Sequence, residues 1–498
     1  MYLYPANEIR EMDEQANACG VLTILLMEHA ALALYEAIKR IAQGHTVSIV
    51  IMCGHGNNGG DGLALARLLE RTSHQVYVFQ KPANHTFSKD VQTQVDILNK
   101  MGIKIQNQLP QNPSFDVIVD CIFGTGLNRV ISGDDEKLID WINAQQAYVI
   151  ACDIPSGLHA DSGQIMGCCV HADETITFAA GKCGLYLQQG VEVSGKIQIA
   201  DIHMPYVVER SYTGTRIINA SLFCSMLPKR KLNSHKGTYG SALMIGGRQG
   251  MSGAIILAAK AALRCGLGTL HVMSNHSVCD ALAVCAPEAI THVLPDEHDK
   301  DAFQSFLRQF DCIVIGNGLG RDEDGAWLTA QVYQSERPCI FDGDALYLLG
   351  KRQIHGKRFA PTLFTPHPKE VSYLLDTEME KLKKTPLERF YELQKRFPQA
   401  TFVLKDTKTW IIHGNHSYIN VIGNDGLATG GSGDVLCGMI CGFFAQNKNM
   451  EAAAVTGVYL HAACADKLKK TQSTYSILPH DVIHRIPDTL YDLLNTNR

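Results

Sequence analysis

Apolar, mostly β-branched residues run from Val47 to Cys53, and the chain turns glycine-rich immediately afterwards. A continuous apolar run of that length, closed by turn residues, reads as a strand buried on both faces of a parallel sheet. A helical segment over Asp61–Arg71 follows. Further strands fit Gln75–Phe79, Phe115–Cys121 and Ala147–Cys152, with helices between them near Lys89–Met101 and Glu136–Ala144. Strands alternating with helices predict a doubly wound parallel sheet. Upstream, residues 7–42 read as helices broken near Gly20.

The alternation fades near Asp201–Pro205, and the polar, basic stretch Ser211–Lys236, with Pro228 inside it, reads as a connector. A second series then starts with strand Ser241–Ile245, helix Gly253–Cys265, strands Thr269–Met273 and Cys312–Ile315, helix Ala326–Gln334 and strand Pro338–Phe341. It closes with strand Thr401–Leu404, a hairpin through Trp410–Ile422 and helices after Gly433. The pattern predicts two α/β domains, 1–215 and 216–498, in keeping with a length beyond what one core usually organises. The run Gly253–Leu270 is long enough to span a bilayer, but Lys260 and Arg264 interrupt it, so it reads as a buried helix. Met1–Arg10 carries no basic-then-apolar signal pattern.

Charge and cysteine content narrow the function classes. Lys and Arg total 45 against 50 Asp and Glu, a formal charge of −5, so no basic field is available for a nucleic acid or an anionic membrane. Sixteen cysteines are scattered through apolar runs with no C-x-x-C pair, which leaves zinc and thioredoxin-type chemistry without support. So many unpaired thiols imply a reducing compartment, and a cytoplasmic location is expected.

Between the first strand and its helix lies Gly54-His55-Gly56-Asn57-Asn58-Gly59-Gly60-Asp61-Gly62. Glycines there let backbone approach a phosphate at a helix N-terminus, although a tight strand–helix turn alone would also want them. Gly54-x-Gly56-x-x-Gly59 matches the dinucleotide fingerprint, but the next strand ends Phe79-Gln80-Lys81 without the acid that would hold a ribose. An ordinary NAD-dependent dehydrogenase is thereby disfavoured. Asn58, Asp120, Asp153 and Ser156 all fall at carboxyl ends of predicted strands, where ligands bind in parallel sheets. One carboxylate with amide and hydroxyl oxygens suits a hard cation, and another carboxylate could move protons. Taken singly, each Asp could equally be a helix cap or turn former.

The sequences N-N-G-G-D-G, D-x-x-x-G-T-G-L and D-I-P-S-G at these strand ends resemble the NAD(P)H-hydrate epimerase family over about residues 1–210. The resemblance implies a Rossmann-like three-layer fold and a potassium ion bound by Asn58, Asp120 and Ser156. It also implies contacts to the hydrated cofactor from Asn57, Asn58, Gly59, Gly60 and Asp61, and from Gly124, Thr125, Gly126, Leu127, Asn128, Arg129 and Val130. Asp153 is implied as the catalytic acid/base, also touching the substrate. Where the family carries L-M-E-N-A-G, this chain has Leu26-Met27-Glu28-His29-Ala30-Ala31.

The densest motif is Asn424-Asp425-Gly426-Leu427-Ala428-Thr429-Gly430-Gly431-Ser432-Gly433-Asp434-Val435-Leu436-Cys437-Gly438. Backbone N–H groups of Gly430 to Gly433 could form an anion nest at a helix start. Asp434 in the first turn could take a proton from a hydroxyl attacking a phosphate, or simply complement the helix dipole. Ser234-His235-Lys236-Gly237, the pair Gly246-Gly247, the turn Ile315-Gly316-Asn317-Gly318-Leu319-Gly320 and Thr365-Pro366-His367-Pro368 accompany it. The prolines stiffen the backbone around His367, which suits a ligand contact.

This half resembles the ribokinase-like superfamily and, more narrowly, the ADP-dependent NAD(P)H-hydrate dehydratase family over about residues 220–490, an α/β/α fold. By that resemblance Ala254, Gly318 and His367 touch the hydrate; Lys405, Asp406, Thr407, Lys408, Thr409 and Gly433 bind the nucleotide; and Asp434 is catalytic, contacting hydrate and transferred phosphate. The family's L-K-G-x-x-T reads Leu404-Lys405-Asp406-Thr407-Lys408-Thr409 here. Together the resemblances imply a bifunctional enzyme repairing hydrated NADH and NADPH, with potassium in the first domain and magnesium with ADP as co-substrate in the second. They imply a homo-oligomer with no nucleic-acid or membrane partner. A vitamin or sugar kinase fused to a non-catalytic binding domain is the rival reading. A scaffold role for the first domain is opposed by Asp120, Asp153 and Ser156.

Overall fold

The computed structural model describes residues 1–82, 87–110, 114–295, 298–354, 358–382 and 386–496. Its internal contacts divide the chain into two units, Met1–Thr215 and Arg216–Arg498.

In the first unit seven parallel strands form one sheet. Its order is Ile105–Gln106, Gln75–Gln80, Ser48–Cys53, Val117–Cys121, Tyr148–Cys152, Glu174–Phe178, Lys196–Ala200. Numbered along the chain, that is 3-2-1-4-5-6-7, a doubly wound order with its reversal between the first and fourth strands. The uninterrupted apolar run is explained by burial on both faces. Ile49, Ile51 and Cys53 join one core cluster, and Val50 and Met52 join the other. The helix after the first strand is Asn57–Leu69, starting four residues before the expected Asp61. Its opening turn, Asn57-Asn58-Gly59-Gly60, has low helix propensity and no apolar period, so the pattern shows only the part beyond it. The strands Glu174–Phe178 and Lys196–Ala200 extend the sheet past those expected. Glu174, buried in an ion pair with Arg40, breaks the apolar signal of one, and the other is a half-exposed edge strand. Separately, Tyr2–Tyr4 pairs in parallel with Gly181–Lys182, and the helix Ala6–Ala18 follows at once.

In the second unit parallel strands run in the order Ile290–Val293, Thr269–Ser274, Ser241–Ile245, Cys312–Ile315, Cys339–Phe341, Thr362–Phe364, Ala400–Leu404. The antiparallel hairpin Thr409–His413 and His416–Asn420 continues the sheet. Ser211–Lys236 is not a structureless connector. The strand Thr215–Ile217 pairs with His416–Asn420, and the helix Ala220–Met226 is capped by Asn219, whose side chain accepts from Leu222 N at 2.9 Å. Ile218, Leu222 and Phe223 enter the core there, hidden in the sequence by flanking basic residues.

The helix Ser432–Asn447 is buried almost all round and packs on Ser252–Arg264. A Cβ added to Gly438 would lie 2.1 Å from Ala258 O, and one on Gly442 2.7 Å from Ala262 O. Glycine on one helix and alanine on the other, four residues apart, therefore set how closely the helices approach. Among the described residues no single helix is long and apolar enough to cross a membrane. The sixteen cysteines are all free.

Candidate functional sites at two switch points

In the first unit the loops after Ser48–Cys53 and Val117–Cys121 leave the sheet where its order reverses, the place a ligand crevice is expected. A cleft of about 670 Å³ lies there. An added Cβ on Gly54 would sit 1.9 Å from Ile122 O, and one on Gly59 2.1 Å from Gly54 O, so backbone packing demands both glycines. Gly59 and Gly60 are buried and do not line the cleft; Gly60 packs on Met27. Asn57, Asn58 and Asp61 line it, as do Gly124, Thr125, Gly126, Leu127, Asn128 and Arg129. Val130 is 65% exposed and lies outside it.

Asn58, Asp120 and Ser156 come together around the carbonyl of Phe123. That oxygen accepts from Asn58 Nδ2 at 3.0 Å and lies 3.3 Å from Ser156 Oγ. Ser156 Oγ donates to Asp120 Oδ1 at 2.6 Å, and Ser156 N to Asp120 Oδ2 at 2.8 Å. Burial pushes the Asp120 carboxyl up to about 6, against the hydrogen bonds from Ser156 and Ile122. Among the described residues, the buried Asn58 Oδ1 has no hydrogen-bond partner. An orphaned amide oxygen beside a buried carboxylate, a hydroxyl and a carbonyl is a hard-oxygen set that fits a cation.

Asp153 ends the strand Tyr148–Cys152 at φ +66°, a left-handed conformation that costs a non-glycine residue free energy and clusters at functional sites. Its Oδ1 accepts from Thr177 Oγ1 at 3.1 Å, from Phe178 N at 3.2 Å and from Lys182 Nζ. Lys182 is 1% exposed and also donates to Phe178 O at 2.9 Å. Burial raises Asp61 well above the usual carboxylate range, reinforced by Asp153 and Asp13. Asp13 is pushed up to about 6, again mainly by burial. Asp13, Asp61, Asp153 and Lys182 all line the one cleft. Sequence reasoning missed Asp13 and Lys182. The available signal was Lys182 as a lone cation inside the apolar stretch from Ile176 to Leu187.

The second unit repeats the logic. Its order reverses between Ser241–Ile245 and Cys312–Ile315, and a cavity of about 460 Å³ there is lined by Ala254, Gly316, Asn317, Gly318, Gly430, Gly431 and Asp434. Asp434 lies in the first turn of Ser432–Asn447, just after Gly431 at φ +94°. Asn317 is 1% exposed, and its Nδ2 bridges Asp434 Oδ1 at 2.7 Å and Asp342 Oδ2 at 3.0 Å. Asp434 is pushed up to about 6 by burial and by Asp342, while the Asn317 bond pulls it down. Asp342 Oδ1 accepts from Thr365 Oγ1 at 2.5 Å and Lys405 Nζ at 3.0 Å. Burial opposes the Lys405 ammonium, but Asp342 and Glu370 outweigh it and its pKa is raised. Sequence reasoning passed over Asn317, Asp342, Asp344 and Glu370 as functional side chains, although Asp342-Gly343-Asp344 follows a strand end.

His367 stands outside that cavity lining and caps the helix Pro368–Leu375. Its Nδ1 accepts from Glu370 N at 3.3 Å, and Glu370 Oε2 accepts from His367 N at 2.9 Å, a reciprocal box. Burial, then Lys405, lowers the His367 pKa. Among the residues expected at a nucleotide, Lys405 and Gly433 come together: a Cβ on Gly433 would be 3.4 Å from Lys405 Nζ. Asp406 faces Arg389 Nη1 at 3.3 Å, and its Oδ1 accepts from Thr407 N at 2.9 Å. Lys408 donates to Val421 O at 2.8 Å, and Thr409 opens the hairpin strand. Thr407 and Lys408 lie in the turn between the strands Ala400–Leu404 and Thr409–His413.

Comparison with known proteins agrees with both halves. Residues 242–488 match the NAD(P)H-hydrate dehydratase family, and residues 23–184 match the family described as YjeF-related protein N-terminus. A bifunctional NAD(P)H-hydrate repair enzyme of Moorella thermoacetica is 35% identical over 517 residues, covering 99% of this chain and 97% of its own. Its counterpart from Escherichia coli K12 is 32% identical, covering 96% and 92%. Among solved structures, a ribokinase-like superfamily protein of Enterococcus faecalis superposes with a TM-score of 0.51 at 30% identity, over 57% of this chain and 97% of its own. An ADP/ATP-dependent NAD(P)H-hydrate dehydratase of Bacillus subtilis, co-crystallised with ATP and magnesium, gives 0.50 at 30% identity, over 56% and 99%. With similarity of this degree running end to end through both units, the chain belongs to the bifunctional NAD(P)H-hydrate repair enzyme family.

Proposed function

We propose that residues 1–215 interconvert the R and S epimers of hydrated NADH and NADPH, and that residues 216–498 dehydrate the S epimer with ADP. The observation that carries this reading is that one chain holds two switch-point clefts, each with a carboxylate on its wall: Asp153 in one, Asp434 in the other. In the first, Asp153 handles the proton of the oxygen on the hydrated ring carbon. Asn58 Oδ1, the Asp120 carboxylate and Ser156 Oγ would hold a potassium ion, which supplies positive charge toward the cofactor's phosphates when bound.

In the second, Asp434 takes the proton of the hydrate's hydroxyl, and the oxygen attacks the terminal phosphorus of ADP as the bond to AMP breaks. Phosphate then leaves the ring carbon, the neighbouring carbon loses a proton, and the ring double bond returns. Lys405, next to Gly433, faces the nucleotide phosphates. Magnesium bound with the nucleotide neutralises their charge. Asp342 and the buried Asn317 Oδ1, which has no hydrogen-bond partner among the described residues, are hard-oxygen groups that fit such an ion.

The test is incubation of the purified chain with mixed hydrate epimers, with and without ADP, following the absorbance of reduced nicotinamide and the AMP formed. AMP keeping pace with recovered absorbance supports the reading. Turnover of a stable alcohol with ATP and no ring restoration supports the vitamin or sugar kinase instead. Running ADP and ATP in parallel decides the donor.

A further inference from the structure

Epimers at the hydrated carbon carry their hydroxyl on opposite faces of the ring. When the hydroxyl leaves as water and water returns on the other face, a proton is delivered on one side and removed on the other. At Asp153 three donors from the described residues converge on Oδ1 and hold the carboxylate from one side. A partner must come from another wall of the cleft.

The helix Ala6–Ala18 is that wall. Ile9, Arg10, Asp13, Glu14 and Asn17 line the cleft at helical spacing, while Met12 and Ala16 turn into the core. Pairing of Tyr4 with Lys182 sets the start of this helix beside the Asp153–Lys182 ion pair, and Ala6 N donates to Asp161 Oδ1 at 2.7 Å to fix its first turn. Of the two acids on this face, Glu14 is exposed and Asp13 is half-buried. Resting on the epimerase reading above, we propose that Asp13 is a second acid–base residue acting on the hydrated ring carbon opposite Asp153, and that Lys182 is the positioning residue that fixes Asp153.

Adding water to the ring's enamine double bond places the hydroxyl on the carbon beside the ring nitrogen. The Asp13 carboxyl gives its proton to that hydroxyl. The carbon–oxygen bond breaks, the nitrogen lone pair forms a carbon–nitrogen double bond, and water departs. Water then adds to the other face, its oxygen forming the new bond, the electron pair returning to nitrogen and its proton passing to the Asp153 carboxylate. One proton has moved from Asp13 to Asp153, and exchange with solvent resets the pair. The upward push on Asp13 from burial and from Asp153 and Glu14, against the pull of Lys182, keeps a protonated fraction of it near neutrality.

The test uses the full chain without ADP, with the epimers separated chromatographically. Asp13→Asn is expected to lower kcat for epimer interconversion by about 10²-fold with KM within about threefold, as for loss of an acid–base group, while the melting transition is kept. Asp13→Glu should fall between it and the wild type. Lys182→Met should cost kcat comparably, with partial recovery in Lys182→Arg. In heavy-oxygen water the hydroxyl should take up solvent oxygen in step with epimerisation. Interconversion at wild-type kcat in Asp13→Asn, a change confined to KM, or epimerisation without oxygen uptake overturns the proposal and leaves the epimerase reading standing. A wild-type chain that does not interconvert epimers overturns the reading itself.

Discussion

Replacing Asn317 with alanine should move the pH dependence of ring restoration, and the direction follows from the bridge it makes. Asn317 Nδ2 donates to both Asp434 and Asp342, two buried carboxylates whose mutual repulsion helps raise Asp434 to about 6. The donated bond stabilises the ionised Asp434, so deleting it raises the pKa further. A hydrogen bond to a charged group is worth about 1.5–3 kcal/mol. At 1.36 kcal/mol per pKa unit that is about one to two units, placing Asp434 near 7 to 8. The base must be ionised to accept the hydroxyl proton. At about pH 7 its ionised fraction therefore falls from about nine tenths to between about a half and a tenth.

The assay is kcat/KM for the S hydrate at saturating ADP between about pH 5.5 and 9, since this ratio reports the titrations of the ADP-bound enzyme before the hydrate binds. The acid limb should shift to higher pH in Asn317→Ala and activity should recover toward the alkaline end. Asn317→Asp keeps the shape but adds a third carboxylate, and should shift the limb further. Epimerisation, carried by residues of the other unit, should be unchanged. A pH-independent loss with the limb in place would show that Asn317 acts through shape alone and would refute this reasoning.

Asp153→Asn should abolish epimerisation by about 10²–10⁴-fold while ADP-dependent dehydration of the S epimer continues, measured with separated epimers. Asp120→Asn should remove any dependence of epimerisation on potassium, and replacing potassium by a bulky organic cation should slow the wild type but not the variant. Gly438→Ala drives a Cβ to 2.1 Å from the Ala258 carbonyl, so overpacking of about 1–3 kcal/mol is expected. Calorimetry should then show a melting transition several degrees lower, and an unchanged transition would mean the helix pair relaxes freely.

What the sequence reveals depends on whether a residue's role is local. Asp120 lies at the carboxyl end of a continuous apolar strand, Asp153 and the Gly316–Gly320 turn sit directly after such strands, and in a parallel sheet those ends form the ligand edge. Asp434 is legible for the same reason, since its glycine turn and buried helix are contiguous. The misses are side chains whose meaning comes from pairing distant in the chain. The face of Ala6–Ala18 with Arg10, Asp13, Glu14 and Asn17 has the pattern of a solvated surface. Pairing of Tyr2–Tyr4 with Gly181–Lys182, some 180 residues away, turns it into a cleft wall. In the sequence Asn317 is only part of a glycine turn, because its bridge joins residues 25 and 117 positions apart from it. The prolines around His367 brace a helix cap with Glu370, and the Glu three residues on is the sequence mark of that cap. Short-range pattern therefore picks out Asp153 and Asp434, while Lys182, which fixes the orientation of Asp153, and Asn317 and Asp342, which set the orientation and proton affinity of Asp434, become visible only once the sheet has brought remote segments together.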